Sequence, residues 1–164
     1  MLEAVNSNAK PVIVVLGANT DLFSKEIDQI NVHVVNNVEW GEGMASSIRM
    51  GLETVLHISP LTDAMIFMLC DQPFVNGGTI SALIDGFRST QKPIVASRYQ
   101  GTLGVPALFS RELFAELLAL EGDTGAKPVI LKHVNDAATI DAHEAFMDID
   151  QPEDYEKLLT QKQQ

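Results

Sequence analysis

Short, uninterrupted apolar segments alternate along the chain with amphipathic ones. Residues 12–16, 64–70 and 93–96 form the clearest apolar segments. Uninterrupted apolarity is typical of strands that are buried on both faces, as in a parallel sheet covered by helices. Apolar residues also recur at helical spacing from Met44 onward and over residues 79–88, which predicts two amphipathic helices. The alternation predicts an α/β domain, a three-layer α/β/α arrangement with a mostly parallel sheet.

Shorter signals predict the remaining elements. Strands are predicted at 32–35, 105–109 and 146–149, and helices at 21–30, 111–120 and 127–133. Residues 99–104 are rich in turn formers and predict a loop. Ser110 stands where a serine can cap the helix that follows it. Residues 2–5 resemble the last turn of a helix.

Length and charge narrow the class of protein. A chain of 164 residues is most simply one domain, spanning residues 1–164. It carries 11 basic and 22 acidic residues, for a net charge of −11. Such a surface repels phosphate backbones and anionic lipid, so we expect neither nucleic acid nor membrane as a partner. The apolar segments are too short to span a bilayer, and we expect a cytoplasmic protein.

Two adjacent residues have different predicted roles, a cysteine without chemistry and an aspartate that is a candidate metal ligand. Cys70 excludes a disulfide framework and a thiolate zinc site, and we expect it to be an inert buried thiol. Asp71 directly follows the most apolar predicted strand. A carboxylate there suits Mg²⁺ bound to substrate phosphates. An aspartate that only bonds nearby backbone N–H groups in a turn is an equally good interpretation.

Two glycine-bearing loops are further candidates for binding an anion. Residues 42–47 join a glycine loop to the start of a predicted helix, where backbone N–H groups can receive phosphate. Helix capping by Ser46 or Ser47 is the simpler interpretation. Residues 122–127 resemble part of a phosphate loop, but Pro128 stands where the Walker pattern needs Ser or Thr. Residues 17–19 lack the dinucleotide-binding glycine series, which disfavours a nicotinamide dehydrogenase.

Taken in order, five segments resemble the MobA-like nucleotidyltransferases, and most of all their molybdopterin cytidylyltransferase branch. They cover the chain from residue 14 to residue 154. The segments are 14–18, 40–52, 70–74, 122–127 and 148–154. The resemblance implies a Rossmann-like nucleotide-diphospho-sugar transferase fold. It also implies an enzyme that moves CMP or GMP from CTP or GTP to a phosphorylated acceptor such as molybdopterin, with release of pyrophosphate.

The resemblance also implies roles for particular residues. Asp71 matches the family's Mg²⁺ ligand, and Asp148 or Asp150 would complete the metal site. Gly43 and Ser47 match positions that contact the nucleotide base in such enzymes. Gly17, after the first predicted strand, is a further nucleotide-binding candidate.

One departure from the family pattern leaves alternatives open. The family's opening strand and glycine-rich triphosphate loop would precede Leu2, so we expect a truncated chain of reduced activity. A non-catalytic nucleotide-binding or interaction domain is one alternative, and a sugar-phosphate nucleotidyltransferase is another. Removal of an internal strand exposes its neighbours' edges, which predicts self-association.

Overall fold

Helices and strands alternate along the chain in the computed structural model, which describes residues 2–27, 30–99 and 101–142. The helices are α1 Leu2–Asn6, α2 Thr20–Ile27, α3 Met44–Ile58, α4 Gly77–Thr90, α5 Phe114–Leu118 and α6 Lys127–Lys132. The strands are β1 Ile13–Leu16, β2 His33–Asn36, β3 Ala64–Phe67, β4 Ile94–Tyr99, β5 Thr102–Ser110 and β6 Ala137–Asp141. The predicted α/β class is confirmed. The predicted strand at 146–149 lies outside the described residues.

The strands form two sheets. β1 and β2 pair in parallel, and the second sheet has the order β3-β5-β4-β6. β4 and β6 are parallel, whereas β5 runs antiparallel to both of its neighbours. Only residues 100 and 101 connect β4 to β5, which is too short for a parallel crossover. The prediction of a loop at 99–104 is therefore wrong, because Tyr99 pairs with Thr102 across a hairpin.

β3 is shorter than its apolar sequence predicts. In the register of β3 and β5, Phe67 pairs with Ala107, so Met68 would face Pro106. Proline has no N–H to donate, and the ladder ends there. The chain then leaves the sheet, and Cys70 lies exposed in the following turn. The prediction of a buried thiol is wrong for this reason.

The predicted helix at 111–120 forms differently. Residues 111–113 are a 3₁₀ turn and α5 begins only at Phe114. Ser110 makes no capping hydrogen bond, and its hydroxyl is buried without a partner in the described part of the chain. Its backbone N–H instead donates to the carbonyl oxygen of Pro93. Ser110 is therefore held by pairing at the end of the sheet, and the predicted cap is wrong.

Helix α3 packs against both sheets. A Cβ placed on Gly51 would lie 3.2 Å from Val15 Cγ2 in β1 and 3.8 Å from Met65 Cε in β3. Only a residue without a side chain allows this close approach without displacing a neighbour. The main core continues from Leu52 to Phe109, both fully buried. α3 is thus the element that joins the sheets.

A cavity of about 410 Å³ lies beside α3, between β1 and β3. Apolar residues of both strands form part of its wall. Among the described residues, β1 pairs only with β2, and β3 only with β5, so each has an unpaired edge. Self-association through these edges stays a prediction, which sedimentation would check. No helix in the described ranges is long and apolar enough to cross a bilayer.

Helix α6 is tied to α5 by charged groups. Lys132 Nζ and His133 Nε2 lie 2.9 Å and 3.0 Å from the carboxylate of Glu116. The hydrogen bond from Lys132 lowers the pKa of Glu116; burial opposes this shift, and His133 lowers the pKa further. This contact helps to fix the end of α6.

Acidification tests this contact. A carboxyl whose pKa is lower in the folded state stabilises the fold above its unfolded pKa and loses that effect as the pH falls through the folded pKa. We expect the unfolding free energy to decrease below about pH 4.3, the usual value for Glu, with a smaller decrease in Glu116→Gln. Urea unfolding between pH 7 and pH 3 measures it. Identical pH profiles would contradict the assignment.

Two leucines test where the core lies. Leu52 is 0% exposed and Leu61 is 87% exposed. We expect Leu52→Ala to lower the unfolding free energy by about 3 kcal/mol, because it removes apolar contact and leaves a cavity. The matched variant Leu61→Ala should change it by less than about 0.5 kcal/mol. Urea denaturation measures both, and equal effects would show that α3 is not part of the core.

Candidate functional site

Two glycine loops that are far apart in sequence touch through their backbones. Gly43 has φ of 107°, and a Cβ there would lie 2.5 Å from the carbonyl of Gly122. The N–H of Ala45 donates to the same carbonyl oxygen at 3.1 Å. On the other side, a Cβ on Gly125 would lie 2.9 Å from Met44 Sδ. Residues 40–47 and 122–127 together are called the double loop.

An arginine of α3 fastens the double loop from outside. Arg49 Nη1 donates to the carbonyl oxygen of Leu120 at 2.6 Å. Its Nη2 lies 2.8 Å from Glu42 Oε2. The guanidinium thus connects Glu42, in one half of the double loop, to the segment that leads into the other half. Sequence reasoning missed Arg49, although a cation one turn into α3 and an acid before Gly43 were visible signals.

Buried Asn37 connects the ends of β1 and β2 to the first turn of α3. It is 0% exposed, and its N–H donates to the carbonyl oxygen of Leu16 at 2.7 Å. Its side-chain amide donates to the hydroxyls of Ser46 at 2.8 Å and Ser47 at 3.0 Å. A buried amide must be satisfied in this way. Sequence reasoning missed Asn37, although it is a polar residue that follows a strand.

The predicted residue Ser47 lies at the cavity, whereas Ser46 has a structural role. Ser46 Oγ donates to the carbonyl oxygen of Gly43 at 2.8 Å, so it bonds the loop rather than an open N–H of the helix. Ser47 is half-buried and lines the cavity. Its hydroxyl is oriented by Asn37 and can also donate a hydrogen bond to a ligand.

Gly17 packs closely against Trp40, the first residue of the double loop. It directly follows β1, and a Cβ there would lie 2.8 Å from Trp40 Cβ. Its carbonyl oxygen accepts a hydrogen bond from Thr20 Oγ1 at 2.8 Å. The contacts of Gly17 are therefore with the chain itself, and its nucleotide-binding role stays a prediction.

Asp71 lies in the turn that follows β3. It is half-buried. The neighbouring Gln72 is 7% exposed and its side-chain amide donates to the carbonyl oxygen of Val105 at 3.3 Å. This bond holds the turn against β5. Cys70, immediately before Asp71, lines the same cavity as Ser47.

Among the residues that the structure describes, no group of three or more His, Cys, Asp or Glu side chains is placed to hold a metal ion. Asp148 and Asp150, the predicted partners of Asp71, lie outside the described residues. The role of Asp71 and Asp150 as metal ligands therefore stays a prediction. Of this pair, Asp71 is the one within the described residues.

Two glycines of one loop test the double loop. Gly43→Ala places a methyl group against the backbone of Gly122 at a positive φ, so we expect a loss of more than about 2 kcal/mol in unfolding free energy. Gly41, two residues earlier, has nothing within 4 Å of an added Cβ. Gly41→Ala should therefore change the free energy by less than about 0.5 kcal/mol. Urea unfolding compares them, and a neutral Gly43→Ala would refute the contact.

The fold is shared with solved nucleotidyltransferases and a mycobacterial protein. Rv0371c from Mycobacterium tuberculosis H37Rv is 29% identical with a TM-score of 0.74, over 94% of this chain and 78% of that one. Another crystal structure of it, in complex with manganese, gives 26% identity and a TM-score of 0.72, over 94% and 80%.

Two more distant structures have the same fold. The 4-diphosphocytidyl-2C-methyl-D-erythritol synthase of Anaerococcus prevotii is 12% identical with a TM-score of 0.78, over 99% of this chain and 83% of that one. Molybdopterin-guanine dinucleotide biosynthesis protein A from Archaeoglobus fulgidus is 13% identical with a TM-score of 0.60, over 92% and 78%. These two likenesses concern the fold alone.

The family follows from the sequence itself. No curated protein matches the chain. Residues 1–137 match the MobA-like NTP transferase domain, a range that contains the double loop and Asp71. The resemblance to the MobA-like nucleotidyltransferases is confirmed, and the chain belongs to the MobA-like NTP transferase family.

Proposed function

We propose that this protein transfers CMP or GMP from CTP or GTP to a phosphorylated acceptor, with molybdopterin as the acceptor, and releases pyrophosphate. One observation carries the proposal: Ser47, the double loop and the turn of Asp71 meet around one cavity. These segments are distant in sequence. Their meeting supports a binding site with hydrogen-bond donors, and Asp71 directly follows Cys70 of the cavity lining.

The reaction needs positioning more than a covalent intermediate on the protein. A phosphate oxygen of the acceptor attacks the α-phosphorus and forms the new P–O bond. The bond from the α-phosphorus to the bridging oxygen breaks, and pyrophosphate leaves with that electron pair. Holding the two substrates in line and offsetting their charge are the main contributions a protein makes to such a transfer. The rigid double loop suits the first of these tasks.

We assign binding of the nucleotide to the double loop. Its backbone is fixed by the contact of Gly43 with Gly122 and by the hydrogen bond from Ala45. The hydroxyl of Ser47, held by Asn37, supplies a hydrogen-bonding group at a defined place. A fixed loop can discriminate between bases, because its polar groups do not rearrange to suit a wrong partner.

We assign the divalent metal, Mg²⁺, to Asp71. Mg²⁺ in nucleotide enzymes is commonly held by one or two carboxylates together with substrate phosphates and water. Asp71 is half-buried and directly follows Cys70, a residue of the cavity lining. One such carboxylate fits that donor set, and Asp148 or Asp150 would add the second. A bound metal would offset phosphate charge. The manganese in the Rv0371c complex supports a divalent ion in a protein of this fold.

The sequence resemblance and one structure of the same fold support the choice of acceptor and base. Molybdopterin as acceptor is supported by the sequence resemblance and by the likeness of fold to the molybdopterin-guanine dinucleotide biosynthesis protein A of A. fulgidus. CTP is supported by the resemblance to the cytidylyltransferase branch, and the A. fulgidus name points to guanine. Both nucleotides therefore belong in the assay.

Pyrophosphate release tests the proposal. The protein is incubated with molybdopterin and with CTP or GTP, with and without Mg²⁺. We expect release that depends on Mg²⁺, and a decrease in kcat of more than about 100-fold in Asp71→Asn, because the neutral amide binds a divalent ion poorly. Asp85 is exposed on α4, away from the cavity, and Asp85→Asn is the matched control that should match wild type.

The outcomes separate the alternatives. Release with an equal rate in Asp71→Asn would refute the metal assignment. Nucleotide binding in a thermal-shift measurement without any pyrophosphate release would favour the non-catalytic binding domain. Pyrophosphate release with a sugar phosphate, but not with molybdopterin, would show that the acceptor is a sugar phosphate and that the reaction class is correct.

A further inference from the structure

Lys127 is the single charged residue among the described residues that line the cavity. The rest of the lining is apolar or carries only small polar groups. A ligand that enters meets one positive charge there, on a chain whose net charge is −11. In such a field, an isolated cation is the natural attachment point for an anionic group.

The basic side chains elsewhere are mostly occupied. Those with a hydrogen bond or an ion pair are Lys10, Arg49, Lys92, Arg98, Arg111 and Lys132. Within the part of the chain whose side chains are described, Arg88 and Lys127 have neither. Arg88 lies on α4 and does not line the cavity. Lys127 therefore combines an available charge with a place at the site.

Packing of α6 fixes the position from which Lys127 extends. Ala126, Val129 and Ile130 are buried in the main core, at a spacing that places them on one face of a helix. Lys127 is the first residue of α6 and is exposed. Its backbone is therefore held by the core while its side chain stays accessible.

The same residue continues the double loop. Gly125, two residues earlier, packs against Met44 Sδ, and Gly122 packs against Gly43. The lysine is thus carried at a fixed place relative to Ser47. This gives a role to the segment 122–127, which resembles a phosphate loop without matching the Walker pattern.

We propose that Lys127 binds phosphate groups of the substrate at the mouth of this cavity. The inference rests on the proposed function and adds a phosphate-binding residue to it. The ammonium group has three N–H donors and a compact charge, which suits phosphate oxygens. The nucleoside triphosphate and the phosphorylated acceptor share this chemistry, and either can supply the phosphate.

Calorimetric binding tests the proposal without catalysis. Wild type, Lys127→Met, Lys127→Arg and Arg88→Met are titrated with CTP and GTP in the presence of Mg²⁺, with glycerol 3-phosphate in a separate arm, and with cytidine and guanosine. We expect Lys127→Met to weaken phosphate binding about tenfold, as for loss of one charge-assisted contact. Lys127→Arg should restore most of it, Arg88→Met should match wild type, and nucleoside binding should not change.

The arms of the experiment identify the phosphate. Weakening confined to CTP and GTP supports the proposal with the triphosphate as ligand, and weakening confined to glycerol 3-phosphate supports it with the acceptor. Urea unfolding of Lys127→Met verifies that the fold is kept. Wild-type affinity in Lys127→Met overturns the role of Lys127 and leaves the proposed function intact. Failure of wild type to bind CTP or GTP contradicts the proposed function, and this inference with it.

Discussion

The close contact between the backbones at Gly43 and Gly122 is the constraint on which the site depends. It can form only where a residue has no Cβ and takes a positive φ, and both conditions hold at Gly43. The hydrogen bond from Ala45 makes the same approach favourable in energy. Everything else at the site is arranged around this contact, because it joins the start of α3 to the segment that leads into α6.

Two polar residues support that contact from opposite sides. Asn37 works from the buried side, where its amide bonds Ser46 and Ser47. Arg49 works from the exposed side, where it bonds the carbonyl oxygen of Leu120 and the carboxylate of Glu42. The buried bonds are the more important, since an unsatisfied amide in the interior is costly and an exposed ion pair contributes little.

Local features of the site could be predicted from the sequence, and features set by distant partners could not. The helix that begins at Met44 and the turn at Asp71 follow from nearby residues, and the structure has both. The burial of Cys70 was predicted wrongly, because the length of β3 depends on Pro106 across the sheet. The hairpin after Tyr99 was missed for another reason. Turn-forming residues are common both in long loops and in the short connections of hairpins, so their presence does not distinguish the two.

The hydrogen-bond partners of Asn37 and Arg49 likewise could not be predicted from nearby residues. Asn37 bonds residues about ten positions away, and Arg49 bonds a carbonyl more than seventy positions away. Neither partner is fixed by a local pattern. β6 escaped prediction because residues 137–141 carry a weak strand pattern, and the parallel pairing with β4 supplies what the sequence lacks.

The proline opposite Met68 has an effect beyond its own strand. A proline in one strand cannot donate a backbone hydrogen bond, so it limits how many residues of the neighbouring strand can pair with it. Met68 and Leu69, released from pairing by that missing donor, become part of the cavity wall. Pro106 does not itself line the cavity, yet it limits the length of β3 and so determines which residues form the wall. A substitution at position 106 would therefore change the shape of the cavity from a distance.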